Sequence, residues 1–402
     1  MIAMRRDGVS LTLAVGAAPY QKTLAASLLR ARMLRRFMSA GAYLEIQDPN
    51  NEGVLEEIKR FPLNRAVNRV AWGVWRRLPQ KLRPPSPVML KVLLADHLQS
   101  RWVPECSVFH GWMGQSLASM RVAKEKEAAT LVENVGRHPR HFYKASWEEC
   151  DRFNIPAKDR SPLLPEALIR RMEREYEICD AIAVPSKIAH ASFAEFEYEK
   201  KAIVVLPGVD AEFFSPRAKS ESRTLFRVCF AGRVELAKGA GYLLQAWKKL
   251  ALPNAELVLA GEVRPEMKEL LRTQADSSVR VAGVLTAAEL AEVHRSSDVF
   301  AFPSVNEGLA MVLLEAMASG LAVVASELSG AADCVSEGKE GFVTPARDVD
   351  RLVEAIRWCY EHREETRAMG FASRARVERE FTLEHYNQRM IAVYRRVAGT
   401  TE

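Results

Sequence analysis

Short apolar runs alternate with amphipathic stretches along almost the whole chain, most regularly after residue 225. The runs 227–232, 255–261, 279–283, 298–302, 322–326 and 341–344 are bounded by turn-forming residues and have the length of buried strands. Between them, 242–250, 265–275, 287–296, 311–318 and 330–337 read as helices. A strand that is apolar on both faces needs a cover on each, so the alternation predicts a parallel sheet with helices on both sides. The first half repeats the pattern less regularly, with candidate strands at 11–16, 89–94, 107–111, 130–134, 181–184 and 202–206. Periodicity lapses at 208–223, GVDAEFFSPRAKSESR, which turns polar toward its end and marks a boundary. Two doubly wound α/β domains facing each other across a cleft are expected, with the ligand site outside the carboxyl ends of the strands. The last segment, 381–397, sets Tyr386, Met390, Ile391 and Tyr394 on one side of a further helix.

Composition narrows the class. At 402 residues, 48% hydrophobic and 27% charged, the chain fits a soluble globular protein of two ordinary domains. No apolar run approaches the roughly 18 residues of a spanning helix. Arg5-Arg6 ahead of 11–18 mimics a secretory leader, but the apolar part is short and holds Thr12 and Gly16, which favours a first core strand. Cys106, Cys150, Cys179, Cys229, Cys334 and Cys359 are scattered without Cys-x-x-Cys spacing, which points to reduced thiols in a cytoplasm, not to disulfides or zinc.

The net charge of +6 is uneven: residues 1–100 hold 16 Lys/Arg against 7 Asp/Glu. A basic first domain suits an anionic surface or an acidic substrate. Within 65–78, Val67, Val70, Ala71, Val74, Trp75 and Leu78 form one helical stripe, with Arg65, Arg69, Arg76 and Arg77 off it. With Trp72 and Trp75 beside the cations, this helix either packs its stripe on its own domain or makes peripheral contact with an anionic membrane. The charge comes with no base-stacking module, which argues against nucleic acid as a partner.

The chemistry concentrates in SVNEGLAMVLLEAMASGLAVVAS, residues 304–326. It reads as a loop after the strand 298–302 and then a helix that Ser319-Gly320 ends. Free N–H groups of Gly308, Leu309 and Ala310 then stand at a helix N-terminus, which attracts anions. Glu307 lies on the loop and Glu315 inside the helix, one on each side of a phosphate-sized anion site. Glu307 as an ordinary N-terminal charge and Glu315 as a solvated helix residue form the plain alternative. Val312, Leu313, Leu314, Ala316 and Met317 leave little room for a solvated stripe, so Glu315 needs partners, which ribose hydroxyls supply. In the same domain the strand 227–232 leads into Arg233 and Lys238, with Gly239 and Gly241 relaxing the loop, an arrangement able to clamp phosphates. It is neither a P-loop nor a dinucleotide fingerprint.

These motifs resemble the retaining glycosyltransferases of family 4, which have the GT-B fold. The resemblance covers about 175–394 and rests on Asp180-Ala-Ile-Ala-Val-Pro-Ser186, Val205-Leu-Pro-Gly-Val-Asp210, the Arg233/Lys238 loop, Phe302-Pro-Ser304 and the Glu307-to-Gly320 segment. It implies two Rossmann-like domains: 1–215 for the acceptor, joined by a C-terminal helix within 381–402 that crosses back, and 216–380 for the donor. It implies Arg233 and Lys238 on a donor diphosphate, Gly308 and Leu309 amides on phosphate, Glu315 on ribose and Glu307 near the donor sugar. The implied reaction moves a hexose-type sugar from a UDP- or GDP-sugar to a glycan, lipid-linked or small-molecule acceptor, with closure of the two halves and no metal or other cofactor. Asp348-Val-Asp350 imitates a metal motif but opens a helix after Pro345, so helix capping explains it better. The first half departs from the family: many members have two glycines after strand one, where this chain has Gly16-Ala-Ala-Pro-Tyr20. Gly16, His110 and His138 are the acceptor-side candidates, with His138 preferred as catalytic because Arg137, Arg140 and His141 surround it in an expected loop. Alternatives are a GT-B-like nucleotide-sugar epimerase and a non-catalytic nucleotide-sugar-binding protein.

Overall fold

The computed structural model describes residues 9–15, 20–39, 72–78, 87–161, 164–216 and 224–399. The first sheet contains β1 (Leu11–Val15), β2 (Leu34–Ser39), β3 (Val108–Trp112), β4 (Ala129–Glu133), β5 (Ala181–Val184) and β6 (Ala202–Val204). The second contains β7 (Phe226–Ala231), β8 (Ala255–Ala260), β9 (Val279–Gly283), β10 (Val299–Phe302), β11 (Ala322–Ser326) and β12 (Gly341–Thr344). Their orders are β2-β1-β3-β4-β5-β6 and β12-β11-β10-β7-β8-β9, with every strand pair parallel. The expected pair of doubly wound α/β units is therefore present. In the second sheet the direction of winding reverses between β7 and β10. Loops leaving adjacent strands at such a point diverge and leave a crevice at the carboxyl edge.

Three elements differ from the sequence reading. Residues 89–94 belong to the helix Pro87–Ser100, because Met, Leu and Lys outnumber the single β-branched Val92 and Pro87 occupies the first helical turn. The sheet instead gains β2 at its edge, whose Arg35 and Arg36 break the apolar run that marks a buried strand. At 330–337 only a 3-10 turn forms, Ala331–Asp333, after the left-handed Gly330.

The helix Leu383–Val397 follows Arg363–Glu380 and crosses back to cover the first sheet. Its Tyr386, Met390 and Tyr394 join Leu13, Leu24 and Leu28 in one buried cluster. Polar anchors pin it in register. Tyr394 Oη lies 2.8 Å from His110 Nδ1, and Tyr386 donates to Glu133 Oε1 at 2.9 Å. The second linker strand runs beside the first: Val209 N–H donates to the Phe381 carbonyl at 2.8 Å. A Cβ on Gly208 would come 2.4 Å from the Thr382 carbonyl oxygen, so only glycine fits where the crossings touch.

Among the described residues, no helix is long and apolar enough to cross a membrane. Of the basic stretch 65–78, residues 65–71 lie outside the described residues; 72–77 are helical, with Trp72 and Val74 exposed and the Arg76 guanidinium 5.6 Å above the Trp72 ring.

Candidate active site

Two loops meet where the winding of the second sheet reverses. The first leaves β7 through Gly232, whose carbonyl oxygen would sit 1.8 Å from any Cβ at Gly261. It then passes Arg233 and makes a 3-10 turn, Leu236–Lys238, closed by Gly239 at φ 78°. A Cβ at Gly239 would be 2.0 Å from the Pro303 carbonyl oxygen, so the backbone conformation and the close approach both demand glycine there. The second loop leaves β10, an entirely buried strand, through Pro303 and Ser304. Val305 N–H and Ser304 Oγ both donate to the Ala237 carbonyl at 3.0 Å, which ties the two loops together.

This junction sets Lys238 against Glu307. The Lys238 ammonium pairs with Glu307 Oε1, and both side chains are mostly shielded, at 19% and 15% exposure. Ser304 Oγ lies 3.5 Å from the same carboxylate oxygen. Arg233 is more open and is held by Glu235 Oε1 at 3.0 Å, while burial pushes the Glu235 carboxyl up. Glu307 N–H and Ala310 N–H are taken by the carbonyls of Leu328 and Ser329. Among the described residues, no partner takes the N–H groups of Gly308 and Leu309. These two amides lie just before the helix Met311–Ala318, where a negative charge gains most from the helix end.

Glu315 sits on that same helix between the buried Leu314 and Ala316. Its carboxyl finds no side-chain partner among the described residues, and burial alone pushes its pKa up to about 7. The second domain thus places Arg233, Lys238, Glu307, two free amides and the partly buried, unpartnered carboxyl of Glu315 around one carboxyl edge.

The first-half candidates are placed differently. Gly16 lies outside the described residues. His110 is fully buried on β3, between Tyr394 and Glu133, its Nε2 3.3 Å from Glu133 Oε2. His138 is also fully buried and caps the helix Pro139–Arg152. Its ring stacks on Phe196 at 3.8 Å and meets the edge of Phe193 at 5.2 Å. Burial pushes its pKa down to about 3, so the ring is neutral at any ordinary pH. The structure therefore does not bring His138 to a surface that a substrate touches. Arg140, its charged neighbour, turns outward to Glu173 and Glu166.

Sequence reasoning passed over Glu133 and Asn134, at the carboxyl end of β4. With Val135 and Pro185 they face Leu309 and Met311 across a narrow cleft between the halves. Their position at a strand end was the available signal. Among the described residues, no cluster of three or more His, Cys, Asp or Glu could hold a metal ion. Asp348 caps the helix Val349–Glu361 by accepting from Arg351 N–H at 3.0 Å.

Residues 226–362 match the family described as Glycosyl transferases group 1. The GDP-mannose-dependent alpha-(1-6)-phosphatidylinositol monomannoside mannosyltransferase of Mycolicibacterium smegmatis is 32% identical over 321 residues, covering 73% of this chain and 78% of that protein. The sulfoquinovosyl transferase SQD2 of Arabidopsis thaliana is 33% identical over 184 residues, 43% of this chain; the match spans only 36% of that longer protein. Among solved structures, Anabaena HepE in complex with UDP superimposes with a TM-score of 0.63 at 14% identity, over 96% of this chain and 99% of that one, a likeness of fold.

Proposed function

This chain belongs to the group 1 glycosyl transferases, and on that premise we propose that it transfers a hexose-type sugar from a nucleoside diphosphate sugar to a hydroxyl acceptor, with retention and without a metal ion. The observation that carries the reading is the partly buried Glu315, whose carboxyl has no partner among the described residues, on the helix that the free amides of Gly308 and Leu309 precede. A ligand that fills both has an anionic centre and a pair of hydroxyls, as a ribose diphosphate does. Arg233, Lys238 and the amides of Gly308 and Leu309 then face the diphosphate, and Glu307 the sugar.

The chemistry follows from where charge grows. Breaking the bond between the anomeric carbon and the phosphate oxygen leaves the electron pair on the phosphate. Fixed cations and amides stabilise that oxygen more as its charge increases, which is the differential binding that speeds a reaction. The acceptor oxygen attacks on the same face and passes its proton to the departing phosphate. A similar M. smegmatis protein acts on a phosphatidylinositol mannoside, and the basic first 100 residues suit an anionic, lipid-linked acceptor of that kind.

Thermal-shift screening against UDP- and GDP-sugars tests the core of this reading. At a concentration about 100-fold above Kd, the matching donor is expected to add about 2.7 kcal/mol of apparent stability. A flat response to every donor would remove the assignment.

The ribose contact has its own signature. A carboxylate that accepts two hydroxyls is ionised in the complex, whereas free Glu315 titrates near 7. Donor affinity is therefore expected to rise as pH increases, by roughly tenfold between pH 6 and 8. Calorimetric titration of wild type and Glu315→Gln checks this. The variant should bind weakly with little pH dependence, and a wild-type affinity that is flat over this range would rule out the ribose contact.

A further inference from the structure

Ser186 belongs to the first half of the chain, yet its hydroxyl holds the donor loop of the second. It follows β5 and Pro185 in an extended conformation, φ −162° and ψ 168°, and caps the helix Lys187–Ala194. Its Oγ accepts from Ala189 N–H at 3.1 Å and donates its single proton to the Gly308 carbonyl at 2.7 Å. The residue is fully buried, so water does not compete for either bond.

The planar trans peptide makes this bond directional. With the Gly308 carbonyl turned toward Ser186, the N–H of Leu309 must point the opposite way, away from the first half. The contact around it is close. A Cβ on Gly308 would come 2.6 Å from Pro185 Cγ, 2.7 Å from the Val135 carbonyl oxygen and 2.8 Å from Gly136 Cα. Next to it, Lys187 N–H donates to Asp333 Oδ2 at 2.9 Å, and a Cβ on Gly330 would lie 2.3 Å from the Gly308 carbonyl oxygen. One short segment, 185–187, thus grips two neighbouring loops of the other half.

We propose that Ser186 is a positioning residue that turns the 308–309 peptide so that the Leu309 N–H faces the donor diphosphate, and that it does so only when the halves are closed. The proposal rests on the donor-site reading above. It makes nucleotide grip and domain closure a single event: the first domain completes an anion site whose cations, Arg233 and Lys238, both belong to the second.

Ser186→Ala removes the proton donor, while Ser186→Thr retains it. Titration calorimetry with UDP and GDP, small-angle scattering with and without the nucleotide, and thermal midpoints are measured for each. Ser186→Ala is expected to weaken binding of whichever nucleotide the wild type takes by about tenfold, in line with a hydrogen bond to a charged group. Nucleotide-induced compaction should be lost with it, and Ser186→Thr should restore both. A helix cap with no further role would lower the midpoint and leave both readouts unchanged below it. Gly308→Ala approaches from the other side: its methyl blocks the closed contact and leaves the Ser186 cap on its own helix intact, so it should reproduce the same two losses. Unchanged affinity and compaction in Ser186→Ala, or in Gly308→Ala if the serine variant does not fold, would overturn the proposal. So would a loss that Ser186→Thr fails to restore. Wild-type protein that binds neither nucleotide would overturn the donor-site reading itself, and the proposal with it.

Discussion

Lys238→Ala is expected to lower kcat/KM by about 10²–10³-fold, the usual cost of deleting one fixed donor that meets charge developing in a transition state. The loss should fall mainly on kcat, because the leaving phosphate gains its charge as the sugar bond breaks. The residue is well placed for a large effect. Its turn is locked by Gly239 against the Pro303 backbone, its carbonyl neighbour Ala237 is tied to Ser304 and Val305, and its ammonium pairs with Glu307. A mobile surface lysine would have little pre-organisation to lose. Folding should survive, since the side chain lies at the cleft and not in the core. Steady-state kinetics beside a thermal midpoint checks both halves of this expectation. A fall of less than about threefold would place the diphosphate elsewhere.

Glu175→Ala carries the largest stability penalty expected. This carboxylate is fully buried in the first domain and accepts the N–H of Ser116 at 2.8 Å and of Gly114 at 2.5 Å. Those bonds shape the loop after β3. The nearby Arg171 links it to Asp96, which in turn accepts the N–H groups of Ala118 and Ser119. Burial pushes the pKa of this carboxyl up to about 8; removing it strands two buried amides, at a cost of about 1–3 kcal/mol each. Differential scanning calorimetry should show the transition of the first domain lowered by roughly 10 °C. A shift within about 2 °C would mean that water replaces the carboxylate.

The second half was more legible than the first because its signals are local. β7 and β10 are short, almost wholly buried runs, and each leads directly into its own site loop, so strand, turn and site residues appear together in the sequence. The separation between Lys238 and Glu307 is bridged by the rule that adjacent strands at a winding reversal share one crevice. The first half depends on distant partners. The charged neighbours of His138 point to a functional loop, but Phe193 and Phe196, more than 50 positions on, enclose its ring. His110 looked available at a strand end, and its partner Tyr394 lies 284 residues away. Local composition also misassigned 89–94, where apolar content alone cannot separate a buried strand from a helix.

The helix Leu383–Val397 has a consequence for synthesis. It covers Leu13, Leu24 and Leu28 with Tyr386, Met390 and Tyr394, so a face that residues 13–28 begin is finished only by residues 386–394. At about 5–20 residues per second, the stretch from β6 to Tyr394 takes roughly 10–40 s to be translated. During that interval part of one apolar face of the first sheet stays uncovered, while the second domain emerges and can fold. Completion of the first domain therefore waits on synthesis of the second, and its uncovered patch is open to non-native contacts until then.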